Sequence, residues 1–308
     1  MVQKSAGAVD AFWQKYPFFQ RALERAVRAS MMQVARECSG KRLLMDCTQM
    51  LRRQDAMTGD VIGIFADILK ACKNNEALAQ SAFADIIKGI VETLEIKIDS
   101  LLESRQAFMQ EVSALLDAFA ETEPTRAIFD DAAIVAEGVQ NVLAALITPE
   151  EEECDGAAVI RRVLEDHEQN KSLAACREEW IRAQGQMADA VQRKLAKYKK
   201  DHLLFECSTF EEILHYSVSR LRVSENAAVL VFVAAVDAGM ARLEAMLAAY
   251  GITMIRPEPH EVFNGREHEV LMAEVHSGFQ KGEIVKYMNS GYREGETVLL
   301  RANVVAAK

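Results

Sequence analysis

Only five prolines occur in the 308 residues, and none lies between Pro17 and Pro124, so no ring or missing N–H breaks a helix in that interval. Glycine is sparse, at fifteen, and half the residues are apolar, which excludes a disordered chain and leaves helix-forming residues dominant. Cys38, Cys47, Cys72, Cys154, Cys176 and Cys207 form no Cys-x-x-Cys pair and no zinc-site spacing, so reduced thiols and no metal are expected. No long block of Lys and Arg offsets the formal net charge of −10, which removes the basic footprint a nucleic-acid partner needs. The densest apolar run, residues 227–235, is too short to span a bilayer, and Met1-Val2-Gln3-Lys4 opens no signal-type stretch. A cytoplasmic protein with no nucleic-acid or membrane partner is expected.

What is present is helical periodicity. Phe83, Ile86, Ile87, Ile90, Val91, Leu94, Ile98, Leu101 and Leu102 recur at three- and four-residue spacing, the stripe of an amphipathic helix. Ser39-Gly40, Thr58-Gly59 and Lys73-Asn74-Asn75 are expected to divide this region into short-linked helices, with a further helix placing Ile128, Val135, Val139, Val142 and Leu146 inward. The result is a helical bundle over residues 1–148.

Thr148-Pro149 followed by Glu150, Glu151, Glu152 and Glu153 has a hydroxyl cap, a first-turn proline and first-turn carboxylates, so a new helix starts there. Alternate steps of three and four from Ile160 pass through Val163, His167, Asn170, Ala174, Arg177, Ile181, Gln184, Ala188, Val191, Leu195, Tyr198, His202 and Phe205. Such a heptad seam, with several polar positions, suits either a dimerising coiled coil over 149–206 or a long helix lying on its own bundle. Ser208 and Glu211 make a capping-box pattern ahead of Ile213, Leu214, Val218 and Leu221, and Ser224 can cap a helix carrying Val229, Phe232, Val233, Val236, Met240, Leu243 and Leu247. A helix pair over 207–250 follows, closed by Tyr250-Gly251, where glycine supplies the left-handed cap.

Beyond Gly251 the texture becomes β-prone at 252–255, 270–275, 283–289 and 297–305, separated by proline- and glycine-bearing segments. Residues 251–308 therefore form a small β domain that leans on the preceding helices.

The junction residues carry a resemblance. Leu243 through Ile252 ends a helix in an aromatic-Gly pair and enters a strand; Phe263-Asn264-Gly265-Arg266-Glu267-His268-Glu269-Val270 follows Phe-Asp-Pro-x-x-His-Glu-Ala, with Gly265 in the proline position. Gly282 through Tyr292 matches Gly-x-Ile-x-x-x-x-x-x-Gly-Tyr, and Val298 through Val305 matches Val-Leu-Arg-Pro-Ala-x-Val, with Leu300 in the Arg position and Arg301 in the Pro position. The chain resembles the GrpE family, with an additional N-terminal helical domain. The fold this implies is mainly α, a long coiled-coil-type helix and helix pair bearing a compact β head.

The resemblance further implies a non-enzymatic nucleotide exchange factor without cofactor, a parallel homodimer whose head inserts at the nucleotide-binding domain of a DnaK-type chaperone. It implies Gly251, Phe263, Asn264, His268, Glu269, Gly291 and Ala302 as structural motif positions. An apolar anchor with a polar rim is expected at Met288, Asn289, Tyr292 and Leu300, Tyr292 being equally a packing residue of the small core.

Three rival readings remain. A helical scaffold could keep the head without exchange activity. Glu212 and His215 form a Glu-x-x-His half-motif of di-iron bundles, but no second copy accompanies it. Glu267-His268-Glu269 could be an acid/base cluster, or it could order the loop into the second strand.

Overall fold

The computed structural model describes residues 14, 21, 25, 40–73, 78, 81–122 and 171–308. Helix α1 spans Lys41–Lys73, α2 Ala84–Thr122 and α3 Lys171–Tyr198; a π-helical turn, Lys199–Leu204, joins α3 to α4, Phe205–Leu221, and α5 spans Ala227–Ala249. The head contains β1 Ile252–Ile255, β2 His268–Glu274, β3 Ile284–Asn289, β4 Gly291–Glu294, β5 Thr297–Leu300 and β6 Ala302–Ala307. The protein is mainly helical with a small C-terminal β region, as the composition and texture imply. The expected helix over 128–146, the helix start at Thr148, the seam before Lys171 and the boundary at 148 lie outside the described residues.

Two compact units are present, one of Met1–Cys47 with Leu115–Ala190, the other of Thr48–Ala114 with Val191–Lys308. In the first, Phe119 and Trp180 stack with ring centroids 5.2 Å apart. The second contains the head. Its core joins Met57, Val61, Phe65 and Ile68 of α1 and Ile90, Leu94 and Leu101 of α2 to Phe210, Leu214 and Val218 of α4 and Phe232, Val236 and Leu243 of α5. Ile252 and Tyr292 of the head complete it. This core cuts across the expected segments 1–148, 207–250 and 251–308.

Several local expectations are corrected. Thr58-Gly59 does not break α1: the Thr58 hydroxyl donates to the Gln54 carbonyl one turn back, at 3.0 Å, and stays inside the helical pattern. Lys73 is the last described residue of that helix, and Asn74-Asn75 lie outside the described residues. No break occurs at 206–207, because the π turn carries the chain from α3 into α4 without interruption. Asn226 rather than Ser224 caps α5, accepting from the Ala228 N–H at 2.9 Å, while the Ser224 hydroxyl accepts from the Asn226 N–H at 3.1 Å. Asn226, in extended backbone, and Ser224 thus share the entry to α5.

The seam is also corrected. Val191, Leu195 and Tyr198 are buried, but His202 and Phe205 are exposed and Leu203, Leu204 and Cys207 take the inward positions. The wider π turn inserts residues into the repeat and rotates the following face. Where Val191–Tyr198 can be followed, the long helix lies on the chain's own bundle: Tyr198 stacks on Phe108 of α2, centroids 4.2 Å apart.

In the head, β1, β4 and β5 form one antiparallel sheet in the order β1-β4-β5, and the second sheet has the order β2-β6-β3 with β2 parallel and β3 antiparallel to β6. The expected final strand is two, β5 and β6, because the chain turns at Arg301 to change sheets, and β4 is an additional strand.

Candidate partner-binding face

The motif positions explain how so small a head holds its shape. Gly251 adopts φ +85°, and its N–H donates to the Ala248 carbonyl at 2.9 Å, so glycine closes α5 and turns the chain into β1. The Asn264 side chain accepts from the Arg266 N–H at 3.1 Å, and the Asn264 carbonyl accepts from the His268 N–H at 2.8 Å. His268, 1 % exposed, accepts the Asn264 N–H at its Nδ1 over 3.1 Å, which fixes the proton on Nε2. Phe263 packs against it, ring centroids 6.1 Å apart. The loop is thereby knotted onto the first residue of β2.

That residue is paired with Ala302 in the parallel β2–β6 register, and the buried Ala302 donates its N–H to the Glu267 carbonyl at 2.8 Å. Glu269 lies one position further, opposite Asn303, and is exposed. Alternation along β2 sends Glu269 to the face opposite His268, while Glu267, in the turn before the strand, accepts from Arg293 at 3.2 Å. Glu267-His268-Glu269 therefore orders the strand and assembles no acid/base pair. Gly291 has a different reason: a Cβ there would lie 2.4 Å from the Ala302 nitrogen and 2.7 Å from the Leu300 oxygen. Only glycine lets β4 pass the turn between β5 and β6. At Gly265 a Cβ would meet only the Phe263 ring, at 3.6 Å, so loss of the expected proline leaves the loop intact.

The four expected contact residues divide by burial. Tyr292 is 0 % exposed and Asn289 4 %, whereas Met288 and Leu300 are half-buried. Tyr292 is core, its alternative reading: burial and the neighbouring Cys207 raise its phenol well above the usual range. Asn289 faces inward because its Nδ2 donates to the Ser208 hydroxyl at 2.7 Å. Met288 and Leu300 remain as the surface members, Leu300 lying opposite Tyr292 in the β4–β5 register.

A joint missed in the sequence holds the head to the helix pair. The Ser208 hydroxyl donates to the Ser290 carbonyl at 3.0 Å, and the Ser290 N–H donates to Glu211 Oε2 at 3.1 Å. Arg256 Nε lies 3.0 Å from both Glu211 Oε1 and the Ser290 hydroxyl, and its Nη1 donates to Glu244 Oε2 at 2.7 Å. Burial works to lower the Arg256 pKa, but the Glu211 charge and the Glu244 hydrogen bond outweigh it and hold the guanidinium above its usual value. Lys199 of the π turn adds an ion pair to Glu294 at 2.7 Å. Ser208-x-x-Glu211 was the one visible signal, and it is a socket for Ser290 rather than a helix cap.

Among the described residues, no three His, Cys, Asp or Glu side chains converge as a metal would require. His215 instead faces Tyr287, centroids 5.6 Å apart. No described helix is long and apolar enough to cross a membrane.

The second unit is a helix pair carrying a small β head that buried polar contacts anchor to it, with Met288 and Leu300 half-buried at the head's surface. The family model GrpE matches residues 148–308, more than half of the chain, and the chain belongs to the GrpE family. Members of that family are non-enzymatic co-chaperones of DnaK-type chaperones. No curated protein matches the chain.

Proposed function

We propose that this protein is a nucleotide exchange factor that accelerates ADP release from a DnaK-type chaperone by binding the open form of its nucleotide-binding domain. The observation that carries the reading is the family match, which spans the stalk, helix pair and head together. No bond is made or broken. The head binds the open domain better than the closed one, and each ~1.4 kcal/mol of that preference raises the open population about tenfold. A rigid head suits this mechanism, since a head that flexed on its stalk would lose part of its differential affinity to ordering cost. Met288 and Leu300 are the contact positions on the accessible side; Asn289 and Tyr292 support them from inside. One head at one nucleotide-binding domain is sufficient, so the mechanism stands whether or not the chain forms the homodimer implied by the resemblance. The cytoplasm is the compartment expected for the pair.

The second reading, a scaffold that binds the chaperone without exchange, is favoured by Leu300 and Arg301 at positions where the family pattern has Arg-Pro. Rapid mixing of the cognate chaperone, loaded with labelled ADP, against the full chain separates the two. Faster release that saturates with protein supports exchange. Binding without acceleration at saturating protein rejects exchange and leaves the scaffold.

A further inference from the structure

We propose that α1 and α2 clamp the head at both of its attachments to the helix pair, with Lys97 as the positioning residue that fixes the socket on α4.

The head is attached at two places. Its chain leaves α5 through Tyr250-Gly251, and its β3–β4 turn is seated by Ser290 on Ser208 and Glu211 of α4. Both places are gripped by α1 or α2, and every contact lies within the second unit. At the first, α1 holds Tyr250 at each end: Arg53 donates to the Tyr250 carbonyl at 3.1 Å, and the Tyr250 hydroxyl donates to Asp60 at 2.9 Å. Further along the same two helices, Arg242 donates to Asp67 at 2.8 Å. Ile68 lies so close over Gly239 that a Cβ there would stand 2.6 Å from Ile68 Cδ1. The buried Val236 and Leu243, three and four residues away on α5, carry full side chains, so α1 cannot slide along α5 and keep this approach.

At the second place, α2 reaches the turn of α4 that carries the socket. Lys97 Nζ donates to Glu206 Oε2 at 2.5 Å and to the Thr209 hydroxyl at 2.6 Å, and the Ser100 hydroxyl donates to Glu206 Oε1 at 2.8 Å. Glu206 and Thr209 bracket Ser208, so these bonds fix the stretch of helix from which Ser208 reaches Ser290. Apolar contacts such as Phe65 on Phe210, ring centroids 4.6 Å apart, hold α4 against α1 but are non-directional. The Lys97 and Glu206 side chains are only 15 % and 13 % exposed, and a charge that far from water is strongly destabilised when its partner moves away. Lys97 thus acts through Glu206 on the socket, and the socket acts on Ser290, two residues beyond the contact position Met288. The consequence for ADP release rests on the exchange reading: a head free to rock would distinguish open from closed chaperone less well.

Amide hydrogen exchange read by mass spectrometry on the full chain, together with labelled-ADP release at saturating protein, tests the clamp. Lys97→Met keeps the stem and removes the ammonium. Loss of amide protection at residues 205–211 and 288–292 is expected, with residues 232–243 of α5 unchanged, and ADP release falls about fivefold. Lys97→Glu deepens both effects, and adding Glu206→Lys reverses them. Should the Lys97 variants not fold, Tyr250→Phe, which deletes only the hydroxyl bond to Asp60, is read in the same way at residues 250–255. A folded Lys97→Met protein with full protection at 288–292 overturns the proposal. So does protection lost evenly over the whole chain, which would make Lys97 a general stabiliser, or a reversed pair that restores nothing. A wild type that accelerates no ADP release rejects the exchange reading alone, and protection at 288–292 still decides the clamp.

Discussion

Arg256 is the single side chain whose removal should most disturb how the head is held. Arg256→Met keeps much of the stem's apolar packing and deletes every donor. Glu211, whose side chain is 9 % exposed, then keeps the Ser290 N–H on one oxygen and loses the cation on the other. Stripping the partner from a fully buried charge costs about 3–5 kcal/mol. Arg256 is itself 30 % exposed and water reaches its end of the pair, so solvent screening reduces the expected cost to about 2 kcal/mol. Glu211→Gln leaves Arg256 with Glu244 and is expected to cost less, about 1 kcal/mol. The two changes together should cost at least about 1 kcal/mol less than their sum, since each removes the same interaction. Urea unfolding of the four proteins, followed by far-UV circular dichroism, gives these numbers. ADP release from the chaperone, measured at saturating protein, should fall with Arg256→Met although no contact residue has changed. An Arg256→Met protein within about 0.5 kcal/mol of wild type, or strictly additive effects, would refute the claim that this joint holds the head.

Gly291→Ala drives a methyl group into backbone at Ala302 and Leu300 that cannot step aside; a loss of about 2–3 kcal/mol in denaturant is expected, with Gly265→Ala within about 0.5 kcal/mol of wild type. Burial pushes the Cys72 thiol up to about 12 and Cys207 higher still, so site-resolved mass spectrometry should find both unalkylated by iodoacetamide at mildly alkaline pH until urea is added. The Arg105 hydrogen bond holds the Asp55 carboxyl below its usual value. A depressed folded value means the pair's stabilisation is complete above the ordinary aspartate value, about 3.9, and is lost as pH falls through the folded one. The stability gap between wild type and Arg105→Met should therefore be constant near neutrality and close in acid, as thermal unfolding across pH would record.

The helices were legible because their apolar spacing is a local property: Ile87, Ile90, Leu94 and Leu101 on α2, and Val229, Phe232, Val236, Leu243 and Leu247 on α5, are buried as their periods imply. Helix ends were less legible. Thr58-Gly59 has the composition of a break, but a hydroxyl that bonds one turn back and a glycine beside the long Arg105 side chain both fit inside a continuous helix. The seam is off at Ile181, which is exposed while Trp180 and Met187 are buried, and it fails again after Tyr198, because counting in threes and fours assumes a constant turn and the π segment changes it. Nothing in Lys199-Lys200-Asp201-His202 marks that change.

An amphipathic stripe says that a face will be covered but not by what. The seam was compatible with a second copy or with the chain's own bundle, and no spacing rule distinguishes them. Ser208 and Glu211 show where a distinguishing signal could have come from. A cap would leave them at a solvated helix end, whereas Leu204, Cys207, Phe210, Leu214 and Val218 place position 208 within a continuous apolar face. A serine and a glutamate on such a face require donors and acceptors brought by another segment. Those on offer are the backbone of a tight turn and a cation, and Ser290, ahead of Gly291, together with Arg256 at the end of β1 supply them. The polar exceptions on an apolar face therefore locate the joint with the head more closely than the apolar residues do. The same reasoning applies to Lys97, a charge in the α2 stripe between Leu94 and Leu101 that is matched by Glu206 on α4.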